Sequence, residues 1–267
     1  MNFHTDKWII DKLTNHYEYA VGHLTDYKVI GVFLHGSQNY GLDFETSDVD
    51  SICLVMPSKE DILKVKEPMS KELTIEESNE KIVVWEIRKF INFLEKGGFN
   101  QLEVLYTDYY VLAPDYFGLW DFIRRHKEYI AYLNKYRTAN SFLGMINRCV
   151  KEIKKDNTNY IKEYMRVAFF AQCLISYLVN TDFEKILRPC NSNELKFIRS
   201  KPEITFPRTS AIELSERELV HCKELINTYK ESNNNYDCCT DTFEQGTIAI
   251  NAIRDVLFDC IKTTIFN

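Results

Sequence analysis

The sequence predicts an α+β protein, with a mixed sheet and packed helices at the front and an all-helical domain behind it. Three observations carry that expectation. Before residue 115, short β-branched and apolar runs alternate with helical spacings. Beyond it, strand signals thin out and long helical patterns take over. The chain has 267 residues and is 45% hydrophobic, enough for one large domain or two small ones with real cores. The expected division is 1–115 for the front domain and 116–267 for the helical domain.

Taken in order, Ile9, Leu13 and Tyr17 share helical spacing and predict a first helix over about 5–24. Lys28 to Leu34 predicts a strand ending at His35-Gly36-Ser37. A polar stretch, 38–47, leads to Asp48-Val49-Asp50 and a second strand, stopped by Pro57. Ser58 with Asp61 resembles a capping box and opens a helix. Lys81 to Trp85 reads as a third strand, and 87–96 as a helix ended by Gly97-Gly98. Further on, 169–178 is apolar almost all round and marks a buried helix. Ser215 with Glu218 reads as a second capping box, Ser232 to Asn235 as a loop, and 242–261 as the last helix.

The net charge of −6 and a pI near 5.6 argue against a protein that coats duplex DNA, which would be basic. Two small basic clusters, Arg124-Arg125-His126-Lys127 and Arg148 with Lys151, Lys154 and Lys155, read as solvated helix faces. Cys53 and Cys173 lie within apolar runs, as buried thiols of a reducing compartment do, and no CxxC pair supports a zinc site. His221-Cys222 and the vicinal Cys238-Cys239 read as free thiols near a loop. No apolar run approaches a membrane span and the N-terminus carries no signal pattern, so the expectation is a cytoplasmic protein with no membrane partner.

The informative pattern is a strand, Gly36-Ser37, ten intervening residues, then Asp48-Val49-Asp50 opening another strand. Alternation places Asp48 and Asp50 on one face, about 7 Å apart, where two carboxylates can hold a pair of divalent ions. Gly36 lets the backbone approach a phosphate, and the Ser37 hydroxyl with nearby amides can bind its oxygens. For a third acidic group two candidates bracket the third strand, Glu80 before it and Glu86 at its end. They share parity with Ile82 and Val84, and spacing does not choose between them.

The stretch from His35-Gly36-Ser37 through Tyr40-Gly41 to Ser47-Asp48-Val49-Asp50 resembles the signature of nucleotidyltransferases of the DNA polymerase beta superfamily. It is most similar to a branch common in bacteria and phages, with a Gly-Ser-x-x-Tyr-Gly loop and a Ser-Asp-x-Asp ending. Ile87 to Phe90, then Gly97-Gly98-Phe99-Asn100-Gln101-Leu102-Glu103, resembles that branch's helix and its Asn-Pro-Asn-x-x-Glu turn. Ser141 to Met145 and the helix reaching Arg166 resemble its C-terminal helices. The chain departs from the pattern twice. Lys81 stands where the resemblance leads one to expect an acidic residue, with Glu80 one place off, and Phe99 replaces the proline of the turn.

The resemblance implies a polymerase-beta-like front domain and a metal-dependent transfer of a nucleoside monophosphate from an NTP, with pyrophosphate leaving. Gly36 and Ser37 would engage the triphosphate, Asp48 and Asp50 would hold two magnesium ions, and Glu80 or Glu86 would complete the site and act as base. Arg166 is a further candidate phosphate contact, and His35 adjoins the glycine-serine pair. The acceptor stays open between a small molecule, a protein and an RNA end such as that of tRNA. Without a third carboxylate, the same fold would serve as a non-catalytic nucleotide-binding or protein-interaction module.

Overall fold

The computed structural model describes residues 4–78, 80–156, 158–179, 182–188, 192–200, 206–233 and 241–266. Two compact units emerge: residues 1–133 with 241–267, and residues 134–240. The first therefore extends past residue 115 and takes in the last helix of the chain.

Unit 1 begins with α1 (Asp6–His23), whose first turn is capped by the Thr5 hydroxyl accepting from the Trp8 N–H at 3.2 Å. The strands are β1 (Val29–His35), β2 (Asp50–Val55), β3 (Ser70–Ile75), β4 (Glu80–Glu86) and β5 (Tyr110–Leu112). They form one mixed sheet in the order β3-β4-β2-β1-β5. β1 runs antiparallel to β2 and β5, β3 antiparallel to β4, and β2 parallel to β4. Between β2 and β3 lies α2 (Lys59–Leu63), capped as expected by Ser58, which accepts from the Asp61 N–H at 3.1 Å. The helices α3 (Ile87–Glu95), α4 (Phe99–Tyr106), α5 (Phe117–Arg125) and α6 (Lys127–Ala131) follow β4, with β5 inserted between α4 and α5. Gly97, at φ +71°, ends α3.

Partnered residues across two strands point to the same side, so the register sorts the sheet into two faces. One carries Val32, Leu34, Val49, Cys53, Val55, Ile82 and Val84, which pack with Ile9, Leu13 and Ala20 of α1 in one buried cluster. On the other, Phe33 meets Trp120 of α5, with ring centroids 4.4 Å apart, and Phe90 of α3 lies 6.1 Å from Trp120. All three of those rings are essentially inaccessible to solvent.

β3 was not expected from the sequence. It is an edge strand whose Ser70-Lys71-Glu72 start is exposed, while Leu73 and Ile75 pack against the α1 face. With one side in water it lacks the apolar run that marks β1 and β2.

Unit 2 contains α7 (Lys135–Ile153), α8 (Tyr160–Leu178), α9 (Phe183–Leu187), α10 (Ser192–Arg199) and α11 (Arg208–Asn233). Phe142 of α7 and Phe183 of α9 flank Tyr177 of α8, at ring-centroid distances of 5.8 and 6.0 Å. Expectation and structure part at Ser215. It does not begin a helix but sits inside α11, fully buried, its hydroxyl without a hydrogen-bond partner among the described residues. Tertiary burial overrides the local capping signal there. The expected loop at 232–235 falls partly on α11, which runs through Asn233, and partly outside the described residues.

The last helix, α12 (Asp241–Phe266), returns to unit 1. Its Ile250, Ile253 and Leu257 are buried, and Arg254 pairs with Glu95 of α3 at 2.6 Å. This return separates the observed units from the expected 1–115 and 116–267 division.

Cys53, Cys149 and Cys222 are buried free thiols, and burial pushes each up to about 12. Cys173 is likewise buried, its Sγ donating to the Ile186 carbonyl at 3.4 Å, whereas Cys190, Cys238 and Cys239 lie outside the described residues. Among the described residues, no helix is long and apolar enough to cross a membrane.

Candidate active site

β1 delivers His35 to the edge of the sheet, directly partnered with Asp50 at the start of β2. Their side chains therefore share a face. At Gly36 the chain turns away with φ +89°, a left-handed conformation that favours glycine. A side chain there would point at Asp50, since a Cβ built on Gly36 would lie 3.3 Å from Asp50 Oδ2. The bare glycine thus leaves open the space beside the carboxylate.

The loop after Gly36 is held from within. Asn39 N–H donates to the Gly36 carbonyl at 3.0 Å, and Leu42 N–H to the Ser37 carbonyl at 2.8 Å. Gln38 Nε2 lies 3.4 Å from the Ser47 carbonyl and 3.3 Å from that of Asp48, tying the loop's start to its end. Gly36 and Ser37 are thereby brought to the same end of the sheet as Asp48 and Asp50.

The anchor of the loop is Glu103 of α4, which is fully buried. Its Oε1 accepts from the Gly36 N–H at 2.6 Å and from Asn39 Nδ2 at 3.2 Å. Its Oε2 accepts from the Tyr40 hydroxyl and lies 2.6 Å from His35 Nδ1. Burying a carboxylate is costly unless its oxygens are satisfied, and here four groups of the glycine-serine segment supply the partners. In the sequence Glu103 appears only as the last residue of the turn motif, with no role of its own. Its signal was a lone acid in Leu102-Glu103-Val104-Leu105, where an apolar neighbourhood demands specific partners.

Asp48 is exposed and Asp50 half-buried, while Val49 between them is fully buried on the α1 face. Asp50, at the start of β2, thus points away from α1, and Asp48 lies two residues before it.

Glu80 and Glu86 are not brought to them. In the parallel register Ser51 partners Ile82 and Val55 partners Glu86. Glu80, Ile82, Val84 and Glu86 therefore lie with Ser51 and Cys53 on the α1 face, opposite Asp50. Glu80 is buried among Lys12 (3.1 Å), Ser78 (2.8 Å), His16 (3.4 Å) and the Val49 N–H (3.4 Å). Glu86 is fully buried and bound by the Arg88 guanidinium. The expectation that either carboxylate completes the aspartate pair is corrected by strand parity, because a one-residue step turns a side chain to the opposite face.

One step before Ser51 and Ile82, the same register sets Asp50 beside Lys81. Lys81 is exposed and pairs with Glu72 at 2.7 Å, and both lie on the face that carries Asp50. The Glu72 carboxylate, and more weakly that of Asp50, hold the Lys81 ammonium above its ordinary pKa. Among the described residues, no three His, Cys, Asp or Glu side chains converge on a common point. What this end of the sheet offers is an aspartate pair, a glycine cradle and one lysine.

Arg166 belongs to unit 2, on α8, where it pairs with Glu163 one turn earlier at 3.0 Å. Several members of the basic clusters are partnered too. Arg124 donates to the Tyr110 hydroxyl at 3.2 Å, and Arg125 pairs with Asp121. In unit 2, Lys154 pairs with Glu216 at 2.5 Å and Lys155 with Glu152 at 2.6 Å.

Comparison with known proteins places this geometry. No curated protein matches the chain. Residues 9–171 match the model of the RNA repair pathway DNA polymerase beta family, RlaP. The match runs from α1 through the sheet, the glycine-serine loop and the aspartate pair into α8, more than half of the sequence. The chain therefore belongs to the RNA repair pathway DNA polymerase beta family, whose chemistry is of the nucleotidyltransferase type.

Proposed function

We propose that the chain transfers a nucleoside monophosphate from a magnesium-bound NTP to the end of an RNA, releasing pyrophosphate. The observation that carries this is the pairing of His35 with Asp50, which sets the Gly36 turn against the aspartate pair. The family's place in an RNA repair pathway favours an RNA end over a small molecule or a protein as acceptor.

The residues present fit magnesium. This ion is commonly held by one or two carboxylates together with substrate phosphates, and Asp48 and Asp50 provide that donor set beside the open Gly36 cradle. When bound it would neutralise charge on the triphosphate and favour the reactive form of the attacking group. Two carboxylates suit one ion. Among the described residues no third carboxylate joins the pair to receive the second ion expected from the sequence, and Lys81 stands beside Asp50 on β4.

The chain's own groups divide the remaining work. Ser37 supplies its backbone N–H and hydroxyl for phosphate oxygens, while Gly36, its own N–H held by Glu103, leaves the space they enter. Asp50, half-buried and directed away from α1, fixes where the α-phosphate lies relative to the acceptor. An oxygen of the RNA end bonds to the α-phosphorus as the bond to the β-phosphate oxygen breaks. The proton of the acceptor goes to solvent, and the electron pair leaves with pyrophosphate. Lys81 adds one positive charge on the same face as Asp50.

The test incubates the protein with magnesium, each α-labelled NTP and cell extract fractionated into RNA, protein and small molecules. Label in the RNA fraction supports the proposal, and label confined to another fraction overturns the choice of acceptor. A second reading draws on Lys81 in place of a third carboxylate: a nucleotide-binding protein without transfer. Binding of labelled NTP with no label in any fraction would select it.

A further inference from the structure

A buried polar cluster lies directly behind the aspartate pair, on the side of the sheet that α1 covers. His16 of α1 is fully buried, with Nδ1 2.8 Å from the Ser51 hydroxyl and Nε2 3.4 Å from Glu80 Oε2. Glu80 turns its other oxygen, Oε1, to the Val49 N–H at 3.4 Å. Lys12 at 3.1 Å and the Ser78 hydroxyl at 2.8 Å complete the shell of Glu80. Burial holds His16 below the ordinary histidine range, against the pull of Glu80, so the ring is neutral near pH 7. A neutral ring that donates from Nε2 to Glu80 accepts the Ser51 proton at Nδ1.

The two contacts fall on the residues either side of Asp50. Val49 and Ser51 face α1, and Asp50 between them faces the opposite way. We propose that Glu80 and His16 are positioning residues that clamp Val49 and Ser51 and so aim Asp50, with Asp48, at the nucleotide's metal ion. The inference rests on Asp48 and Asp50 being metal ligands and adds what holds them in place.

Stability alone does not explain the cluster. Buried ion pairs are often replaced by apolar side chains of similar volume with no loss of stability. A core required only to pack would be served by aliphatic side chains here, as it is at Ile9, Leu13 and Val84 around it. Hydrogen bonds add direction, and the directed bonds end on the backbone and side chain that flank a ligand. Residues that orient metal ligands from behind commonly account for about 10- to 100-fold in affinity or activity.

Mn2+ serves as the probe, its binding to the full chain followed by electron paramagnetic resonance with a non-hydrolysable NTP present and folding checked by circular dichroism. Two variants carry the test: Ser51→Ala, which removes a single hydroxyl, and His16→Leu combined with Glu80→Leu. Both are expected to weaken Mn2+ binding about 10-fold or more while the thermal transition stays cooperative. Glu80→Gln keeps an acceptor oxygen for the Val49 N–H and is expected to retain most of the affinity. Wild-type Mn2+ affinity in a folded Ser51→Ala or doubly substituted protein overturns the proposal. Should the double variant not fold, Ser51→Ala decides. Asp50→Asn serves as the reference: unchanged Mn2+ affinity there overturns the metal-site reading itself, whereas affinity lost there but kept in the clamp variants overturns only the positioning role.

Discussion

Glu103 accepts a 2.6 Å hydrogen bond from the backbone N–H of Gly36, joining a fully buried carboxylate on α4 to the turn that opens the candidate nucleotide site. The same carboxylate takes Asn39 and Tyr40 and lies against His35, so one side chain sets the conformation of the whole glycine-serine segment. Glu103→Ala strands these donors and is expected to destabilise the protein by at least about 1–3 kcal/mol. Urea denaturation measures this directly. In protein that remains folded, KM for NTP should rise more than kcat falls if the loop binds the triphosphate as proposed.

Gly36→Ala probes the other end of that bond. The residue sits at φ +89°, and the new Cβ would approach Asp50 Oδ2 to 3.3 Å. The left-handed conformation alone costs an L-residue on the order of 1–2 kcal/mol. We expect a modest fall in thermal stability together with a fall in kcat/KM of about tenfold or more, which 1.4 kcal/mol at the site would produce. Transfer assays on the folded variant check it.

The cluster behind the aspartates predicts the direction of the pH dependence. Burial lowers His16, and a histidine whose folded pKa lies below its unfolded value contributes fully above about pH 6.5 and loses that contribution as pH falls. For Glu80, burial pushes upward, but hydrogen bonds from Ser78, Lys12 and His16 outweigh it and leave the carboxyl below its ordinary range. Its contribution is therefore also present near neutrality and lost further into acid. Thermal stability should decline from pH 7 to pH 5. In His16→Leu the part of that decline nearest pH 6.5 should shrink, and differential scanning calorimetry across the range reads the difference.

Lys81→Glu sets a third carboxylate beside Asp50 on the same face. Lys81 is exposed and its ion pair with Glu72 is a surface one, so stability should change little. The Mn2+ stoichiometry, titrated with a non-hydrolysable NTP, is expected to rise from one to two per chain. A stoichiometry of one in the variant contradicts the view that Lys81 occupies the place of a second ion's ligand.

The fold was legible where one periodicity governed a whole element. β1, β2 and β4 announced themselves through Val29–Leu34, Ile52–Val55 and Ile82–Val84, because each is buried on at least one face. β3 escaped because its exposed side is Ser70, Glu72 and Thr74, which reads as a polar loop. The return of α12 to unit 1 is a tertiary fact with no local signal. In the site, the glycine turn and the aspartate spacing were readable because they depend on neighbours in sequence. The faces of Glu80 and Glu86 were not, since they follow from the pairing of β2 with β4, set by residues some thirty positions apart. His16 left no mark at all: one histidine on an apolar helix face becomes meaningful only when Ser51 and Glu80 arrive beside it.

The central claim is that Asp48 and Asp50 form the metal-binding pair of a nucleotidyltransferase. Its most direct test is single-turnover transfer of α-labelled nucleotide to RNA by the wild-type protein and by Asp48→Asn combined with Asp50→Asn, both shown to be folded. The account predicts labelled RNA from the first and none above background from the second. Equal labelling by the two proteins would contradict it.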